Sequence, residues 1–322
     1  MFSIKRRQLA LLAAAAAVPE WLSACSAPPP LRIAGHPWPG YEPFFFAHAQ
    51  GWLPNNMVLL DLPTIKASID AMKEGRADGA MLTLDEALAL QVRGMSLEVV
   101  LIFDISKGAD MLVARPQLKH LAQLRGTRIG LEPSTLGELM LSMVLEKAGL
   151  NRADVKLQRI PYEEQEAAWA TGGLDALITY EPVAGRLTGK SAHALLTTKE
   201  LPDSIFDVLV VKSESARAHS ETLRNMLRAH FKALEQYHRN PWDTAYRMAP
   251  RLKISAEELI DSFRGLELPD LVANRSALNR DNSHLLQVTK RLSAIMVDAG
   301  TLPGPANPDR LFNDAYLPGD AT

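Results

Sequence analysis

The sequence predicts an α/β protein of two similar lobes joined by a hinge, followed by a helical C-terminal region. Three observations carry that expectation. From residue 31 onward, short apolar runs ended by Gly or polar residues alternate with helical stretches, the pattern of a mostly parallel sheet with helices on both faces. A Gly-x-x-Asp step leading into an apolar run occurs twice, at Gly75-Arg76-Ala77-Asp78 and at Gly172-Gly173-Leu174-Asp175. After Lys212 the strand-like runs stop and helix-period patterns take over. A length of 322 residues allows about two domains.

In chain order, residues 31–35, 57–62, 79–82 and 97–103 read as strands, with helices at 41–50, 65–74 and 84–93 between them. A strand at 110–114 and a short helix at 118–124 follow, then a strand at 128–131 and a helix at 136–148 closed by Gly149. Further strands are expected at 155–160, 176–179 and 208–211, and helices at 163–170 and 182–187. Past Lys212, helices are expected at 215–239, 242–248, 256–264 and 284–299. The last places Leu285, Leu286, Val288, Leu292, Ile295 and Met296 roughly on one face. Thr83-Leu84-Asp85-Glu86, Thr135-Leu136-Gly137-Glu138 and Ser255-Ala256-Glu257-Glu258 each have the spacing of a helix-starting capping box. His230 and His238 are expected on a surface helix. Arg32-Ile33 and Arg128-Ile129 each open a strand–loop–helix unit, a second sign that the lobes repeat one plan.

Composition bounds the function. With 35 Lys and Arg against 37 Asp and Glu, the net charge of −2 gives no basic excess for nucleic acid. A single cysteine excludes an intrachain disulfide, a multi-cysteine zinc site and an iron–sulfur cluster. It stands at Cys25. Lys5, Arg6 and Arg7 precede an uncharged apolar run at 9–18, too short to span a bilayer, and then Leu22-Ser23-Ala24-Cys25. This resembles the lipobox of bacterial lipoproteins. On that reading residues 1–24 are a lipoprotein signal peptide, Cys25 carries the lipid, and 25–30, with Pro28-Pro29-Pro30, form an extended spacer. The body is then expected outside the cytoplasm, tethered to the membrane; a plain secretory signal with an incidental Cys is the alternative. The Arg6-Arg7 pair leaves the export route open.

Ligands of open α/β sheets sit beyond the carboxyl ends of strands. The residues expected there include Trp38 and Tyr41, Thr83 with Asp85, Asp104, Ser134 and Thr135 after Glu132, and Tyr180 with Glu181. In Trp38-Pro39-Gly40-Tyr41 the two aromatics either wall a flat or aliphatic ligand or pack the loop onto Phe44, Phe45 and Phe46. Thr83 and Thr135 either cap helices or leave free amides for an acceptor group. Asp104 and Asp110 either anchor an ammonium or shape turns, and Gly108 suits a hinge. No G-x-S-x-G elbow, P-loop, H-E-x-x-H or G-x-G-x-x-G is present, so no catalytic residue, metal ligand or cofactor is expected.

A series of strings in order resembles the nitrate/sulfonate/taurine-type solute-binding proteins of ABC importers, the NMT1/THI5-like group. They are Trp38-Pro39-Gly40-Tyr41-Glu42-Pro43, Leu82-Thr83-Leu84-Asp85-Glu86, Phe103-Asp104 with Gly108-Ala109-Asp110, Leu124-Arg125-Gly126 with Arg128-Ile129-Gly130, and Tyr180-Glu181-Pro182. The resemblance covers roughly residues 31–250. It implies a type II periplasmic-binding-protein fold, with 31–111 and 207–322 as lobe one and 112–206 as lobe two. It also implies a ligand between the lobes, ABC permease and ATPase subunits as partners, and Trp38, Tyr41, Thr83, Asp104, Ser134, Thr135, Tyr180 and Glu181 as ligand-binding candidates. The related pyrimidine synthases carry a cysteine-rich motif, which Cys25 alone does not supply. Acids at the expected cleft (Glu42, Asp85, Asp104, Asp110, Glu132, Glu181) outnumber His36, Lys107 and Arg186. The expected ligand is therefore a small nitrogen-containing solute, an aminosulfonate or a pyrimidine-like ring, near Trp38. A sensor that signals to a membrane partner and an enzyme acting on a small heterocycle are the alternative functions.

Overall fold

A computed structural model describes residues 28–319 apart from 280, 282 and 310; the lipobox and Cys25 lie outside the described residues. In chain order the strands are β1 (Leu31–Gly35), β2 (Met57–Asp61), β3 (Gly79–Thr83), β4 (Leu97–Ser106), β5 (Asp110–Ala114), β6 (Arg128–Leu131), β7 (Lys156–Arg159), β8 (Ala176–Tyr180), β9 (His193–Thr197), β10 (Phe206–Lys212) and β11 (Leu266–Glu267). They form two sheets, ordered β11-β4-β10-β3-β1-β2 and β7-β6-β8-β5-β9.

The sheets share one plan. In the first, β1 pairs in parallel with β2 and β3, and β10 runs antiparallel between β3 and β4. In the second, β6 pairs in parallel with β7 and β8, and β5 runs antiparallel between β8 and β9. The antiparallel strand is in each case one that has just arrived from the other sheet, so the sequence expectation of mostly parallel pairing is met only around β1 and β6. The paired Gly-x-x-Asp steps now have a physical reason. Asp78 Oδ2 accepts from the Arg32 backbone N–H and Nε at 3.0 and 2.9 Å, and Oδ1 accepts from Nη2 at 2.7 Å. Asp175 repeats the arrangement on Arg128, at 2.8, 3.0 and 2.9 Å. Each Asp N–H returns a bond to the Arg carbonyl, at 2.8 and 2.9 Å. The step thus fastens the start of each lobe's third strand to its first. Gly75 and Gly172, at φ +72° and +77°, make the left-handed turn that brings the carboxylate there.

The lobe helices are α1 (Glu42–Ala49), α2 (Ile65–Lys73), α3 (Leu84–Val92), α4 (Thr135–Ala148), α5 (Gln165–Ala170) and α6 (Val183–Thr188). The C-terminal region adds α7 (Ser213–Ala218), α8 (Ser220–Arg239), α9 (Pro241–Leu252), α10 (Ala256–Phe263), α11 (Leu271–Leu278) and α12 (Ser283–Asp298). α8 lays Leu223, Met226, Leu227 and Leu234 into the core beside α1, which buries Phe44, Phe45 and Phe46. α12 and α3 both pack on α4, so helices of lobe one brace lobe two along one side.

Several expectations change. The helix expected at 215–239 is two helices that meet at His219. β9, β11 and α11 had no sequence signal: β9 is a half-exposed edge strand, and the other two are very short or weakly patterned. His230 is no surface residue; it is 1% exposed, its ring lying 5.2 Å from Phe103 and 6.3 Å from Phe44, because α8 is covered on that face by α1. Helix α4 is capped by Ser134, whose Oγ accepts from Gly137 N–H at 3.0 Å, and Thr135 is its first residue. Glu138 does not close a box there but pairs with Arg152 and Arg159 at 2.6 and 2.5 Å. The box at Ser255 forms as expected, with Glu258 N–H to Ser255 Oγ at 3.1 Å and Ser255 N–H to Glu258 Oε2 at 2.8 Å.

The chain crosses between sheets twice, from β4 to β5 and from β9 to β10. Thr198 ties the crossings together: its Oγ1 accepts from Gly108 N–H and lies 2.7 Å from Ser106 Oγ. Ser106 Oγ also accepts from Asp110 N–H at 3.1 Å. Gly108 sits at φ +127°, a conformation that favours glycine.

Candidate functional site

Strand register brings three polar residues into one row. Thr83 on β3 stands opposite Asp207 on β10, and Asp207 stands opposite Asp104 on β4. The Trp38-Pro39-Gly40-Tyr41 string folds over this row as a tight turn, with Tyr41 N–H donating to Trp38 O at 3.1 Å. Trp38 Nε1 donates to Asp104 Oδ2 at 3.0 Å, and Tyr41 Oη donates to Asp207 Oδ1 at 2.5 Å. Gly40 is required between them, since a Cβ there would lie 1.7 Å from Asp104 Oδ2.

Above the row is a tight cavity between the lobes, with about 20 Å3 of open space. Lobe one supplies His36, Pro37, Trp38, Ile65, Thr83 and Asp207. Lobe two supplies Glu132, Leu136 and Tyr180, while Asp110 and Ile205 come from the crossings. Trp38 and Tyr180 meet edge to face across the lobes, 5.5 Å between ring centres, and Tyr180 stacks flat on Tyr162 at 4.2 Å. A wider hollow of about 350 Å3, sharing His36, Pro37, Ile65, Glu132 and Tyr180 with it, continues past Thr64, Tyr162 and Arg186. The volume of this hollow and its mixed apolar and polar wall suit a small organic molecule.

The electrostatics are one-sided. Burial pushes Asp110 up to about 7 against the Ser106 hydrogen bond, with Asp85 and Glu181 adding to the rise. Burial lifts Glu132 to about 7 and Asp104 to about 8, and holds Asp207 well above the usual carboxylate range. Asp85 is raised to about 6 by burial, and Glu86 well above its ordinary value by burial and by Asp85. His36 is the reverse case: burial and the Arg251 charge lower it to about 3, so its ring is neutral. No Lys or Arg lines the tight cavity among the described residues. Arg186 in the wider hollow is held by Glu166 at 2.7 Å, and Lys107 faces Asp203 at 3.5 Å. Buried carboxyl oxygens without a donor remain at Asp85 Oδ2, Glu86 Oε1, Asp104 Oδ1 and Asp110 Oδ2.

Of the expected site residues, Trp38, Thr83 and Tyr180 stand in the cavity wall. Tyr41 and Asp104 are fully buried behind it and hold Asp207 and Trp38. Ser134 caps α4 and donates to Glu132 Oε2 at 3.1 Å, so it orients a wall residue, and Thr135 does not line the cavity. Glu181 accepts from Gly185 N–H at 3.0 Å and lines a separate crevice with Arg186, Lys253 and Glu258. The wall also contains Asp207, Ile205, Ile65 and Leu136, which strand-end reasoning did not select. The signal for Asp207 was a lone acid beginning the apolar run Phe206-Asp207-Val208-Leu209. Among the described residues, no group of three or more His, Cys, Asp or Glu is placed to hold a metal ion.

The model of the NMT1-like family matches residues 25–250. A binding protein of Brucella abortus (strain 2308) is 24% identical over 216 residues, covering 65% of this chain and 65% of the relative. The match therefore spans less than two thirds of the curated relative's length. Among solved structures, the periplasmic aliphatic sulphonate binding protein SsuA from Escherichia coli is similar at a TM-score of 0.75 and 16% identity, covering 92% of this chain and 96% of that one. The desulfurization enzyme DSZB is similar at a TM-score of 0.64 and 17% identity, covering 89% and 97%. The fold is that of the periplasmic binding proteins, and an enzyme shares it. By the family match over most of its length, the chain belongs to the NMT1-like family.

Proposed function

We propose that the protein is the lipid-anchored solute-binding component of an ABC uptake system, and that it captures a small nitrogen-containing organic solute, aminosulfonate or pyrimidine-like, between its lobes. The observation that carries this is a tight cavity, opening into a wider hollow, that is walled from both lobes and floored by the two crossings. A ligand there touches both halves at once, so it stabilises the closed arrangement by its differential affinity for it. Delivery to a permease and ATPase then requires reopening at the crossings. The SsuA likeness and the family membership support a binding role, and the Leu22-Ser23-Ala24-Cys25 string supports the tether.

The deciding experiment is mass spectrometry of small molecules that co-purify with the protein, followed by calorimetry with the molecule found. Stoichiometric binding with the ligand recovered unchanged is expected; conversion of the ligand to product would sink the binding reading. For the tether, Cys25→Ala is expected to move the protein from the membrane fraction to the soluble one.

A further inference from the structure

We propose that the cleft reads a protonated nitrogen: its solute is a small organic cation, whose ammonium or amidinium group sits between Asp110 and Glu132 with Thr83 as a third contact, and an aliphatic sulfonate is rejected. This rests on the solute-binding reading and narrows it to the pyrimidine-like or otherwise purely cationic solute, setting the aminosulfonate aside. The SsuA likeness alone would suggest the opposite charge.

One side chain on the cavity wall is almost completely buried and lacks a donor: Asp110 is 2% exposed with Oδ2 unpartnered. Thr83 beside it is 3% exposed and belongs to the capping box of α3. Native proteins rarely leave a buried acceptor unanswered, and one that lines a cavity is placed to take a partner from outside. Glu132 faces them from lobe two, its Oε2 accepting from Ser134 Oγ at 3.1 Å. A cation with two or more N–H donors answers all three at once by charge-assisted hydrogen bonds. Trp38 and Tyr180 add ring faces and edges suited to a positive charge on a flat body.

An anion meets the reverse. Besides Asp110 and Glu132, the surrounding elements present Asp207 and Asp104 from β10 and β4, Asp85 and Glu86 from α3, and Glu181 and Glu163 from lobe two. The other titratable neighbours are Tyr180, Tyr162, Tyr41 and neutral His36, with two cations, Arg251 beside His36 and Arg186 in the wider hollow, each paired to carboxylates. At each helix start beside the cavity one amide is already answered by the protein's own oxygen. Thr64 Oγ1 accepts from Ala67 N–H at 3.2 Å, Glu86 Oε2 from Thr83 N–H at 3.2 Å, and Ser134 Oγ from Gly137 N–H at 3.0 Å. A sulfonate would thus enter a carboxylate-lined cavity with no Lys or Arg on its wall.

The test compares probes of like shape and opposite charge on the full chain: benzylammonium and benzamidinium against benzenesulfonate and propanesulfonate. Thermal shift and calorimetry read the binding. At least one cation is expected to raise the unfolding midpoint by about 3 °C or more at millimolar concentration, and neither sulfonate to move it. Asp110→Asn and Glu132→Gln are each expected to weaken cation binding about tenfold or more, while leaving the midpoint of the free protein unchanged or higher. Cation affinity is expected to fall from pH 8 to pH 6, as protons compete for the same carboxyls. Two variants from different lobes keep the test independent of either one folding. Sulfonate binding without cation binding overturns the inference and leaves the solute-binding reading standing. Cation binding that survives both substitutions at full strength overturns the proposed seat. Failure of all four probes, with nothing co-purifying, overturns the inference and the solute-binding reading together.

Discussion

Trp38 is held in the cavity wall by one hydrogen bond to Asp104, and that bond exists because residue 40 has no side chain. In Gly40→Ala the new methyl would meet the Asp104 carboxylate, which is fully buried and has nowhere to turn. The expected result is a loss of about 1–3 kcal/mol of stability, as for other overpacked sites, together with weaker ligand binding. Asp104→Asn separates acceptor from charge: it keeps an oxygen for Trp38 Nε1 and removes an acid that burial disfavours in its charged form. It is expected to be at least as stable as the parent at pH 8 by thermal denaturation, and a marked drop there would remove the acceptor explanation. At this scale the sequence was half legible. Trp38, Thr83 and Tyr180 follow from the rule that ligands gather at strand ends. Asp207 does not, because its place beside Thr83 and Asp104 depends on a strand that returns after a whole lobe has intervened.

The two Arg–Asp fasteners and the Thr198 tie do different work at the level of elements. The fasteners join the first and third strands inside a lobe; Arg128 and Asp175 are partly exposed, so the charge itself is screened. Asp175→Ala removes three bonds including a backbone N–H, and a loss of about 1–3 kcal/mol is expected, with the cleft geometry intact. Thr198 spans the crossings instead. Thr198→Val keeps the shape but leaves Gly108 N–H and Ser106 Oγ without their partner. It is expected to loosen the relation between lobes, read as a larger radius of gyration by small-angle scattering and a weaker ligand response, with secondary structure unchanged by circular dichroism. An unchanged radius and full ligand affinity would show that the tie does not hold the lobes together. The fasteners were visible in the sequence, since Gly-x-x-Asp leaves a local and repeated trace. The tie was not: Thr198 follows an edge strand with no alternation, and its partners lie 90 and more residues away.

At the scale of the whole molecule, the buried acids make stability depend on pH in an unusual direction. A carboxyl whose folded pKa is raised holds its proton more tightly folded than unfolded. The stability this contributes is complete below the unfolded value near 4 and is lost as pH rises through the folded value. Burial places Asp110, Glu132 and Glu42 at about 7 and Asp104 at about 8, with Arg251 only partly offsetting the effect on Glu42. The buried histidines oppose this at lower pH. His36 and His230 are lowered to about 3, so their contribution is present above the unfolded histidine value near 6.5 and is lost as pH falls through 3. Between pH 6.5 and 8 the two buried rings stay neutral in the folded state and only about half of each unfolded ring is protonated at the lower end, so the more numerous buried acids dominate the titration. The free protein is therefore expected to melt at a higher temperature at pH 6.5 than at pH 8, with a slope of about 1 kcal/mol per pH unit for each proton involved. A cation seated on the same carboxyls holds them ionised, so saturating ligand should flatten or reverse the slope over that window. A free protein whose melting temperature rises from pH 6.5 to pH 8 would mean that the cleft acids are already ionised and compensated by other groups.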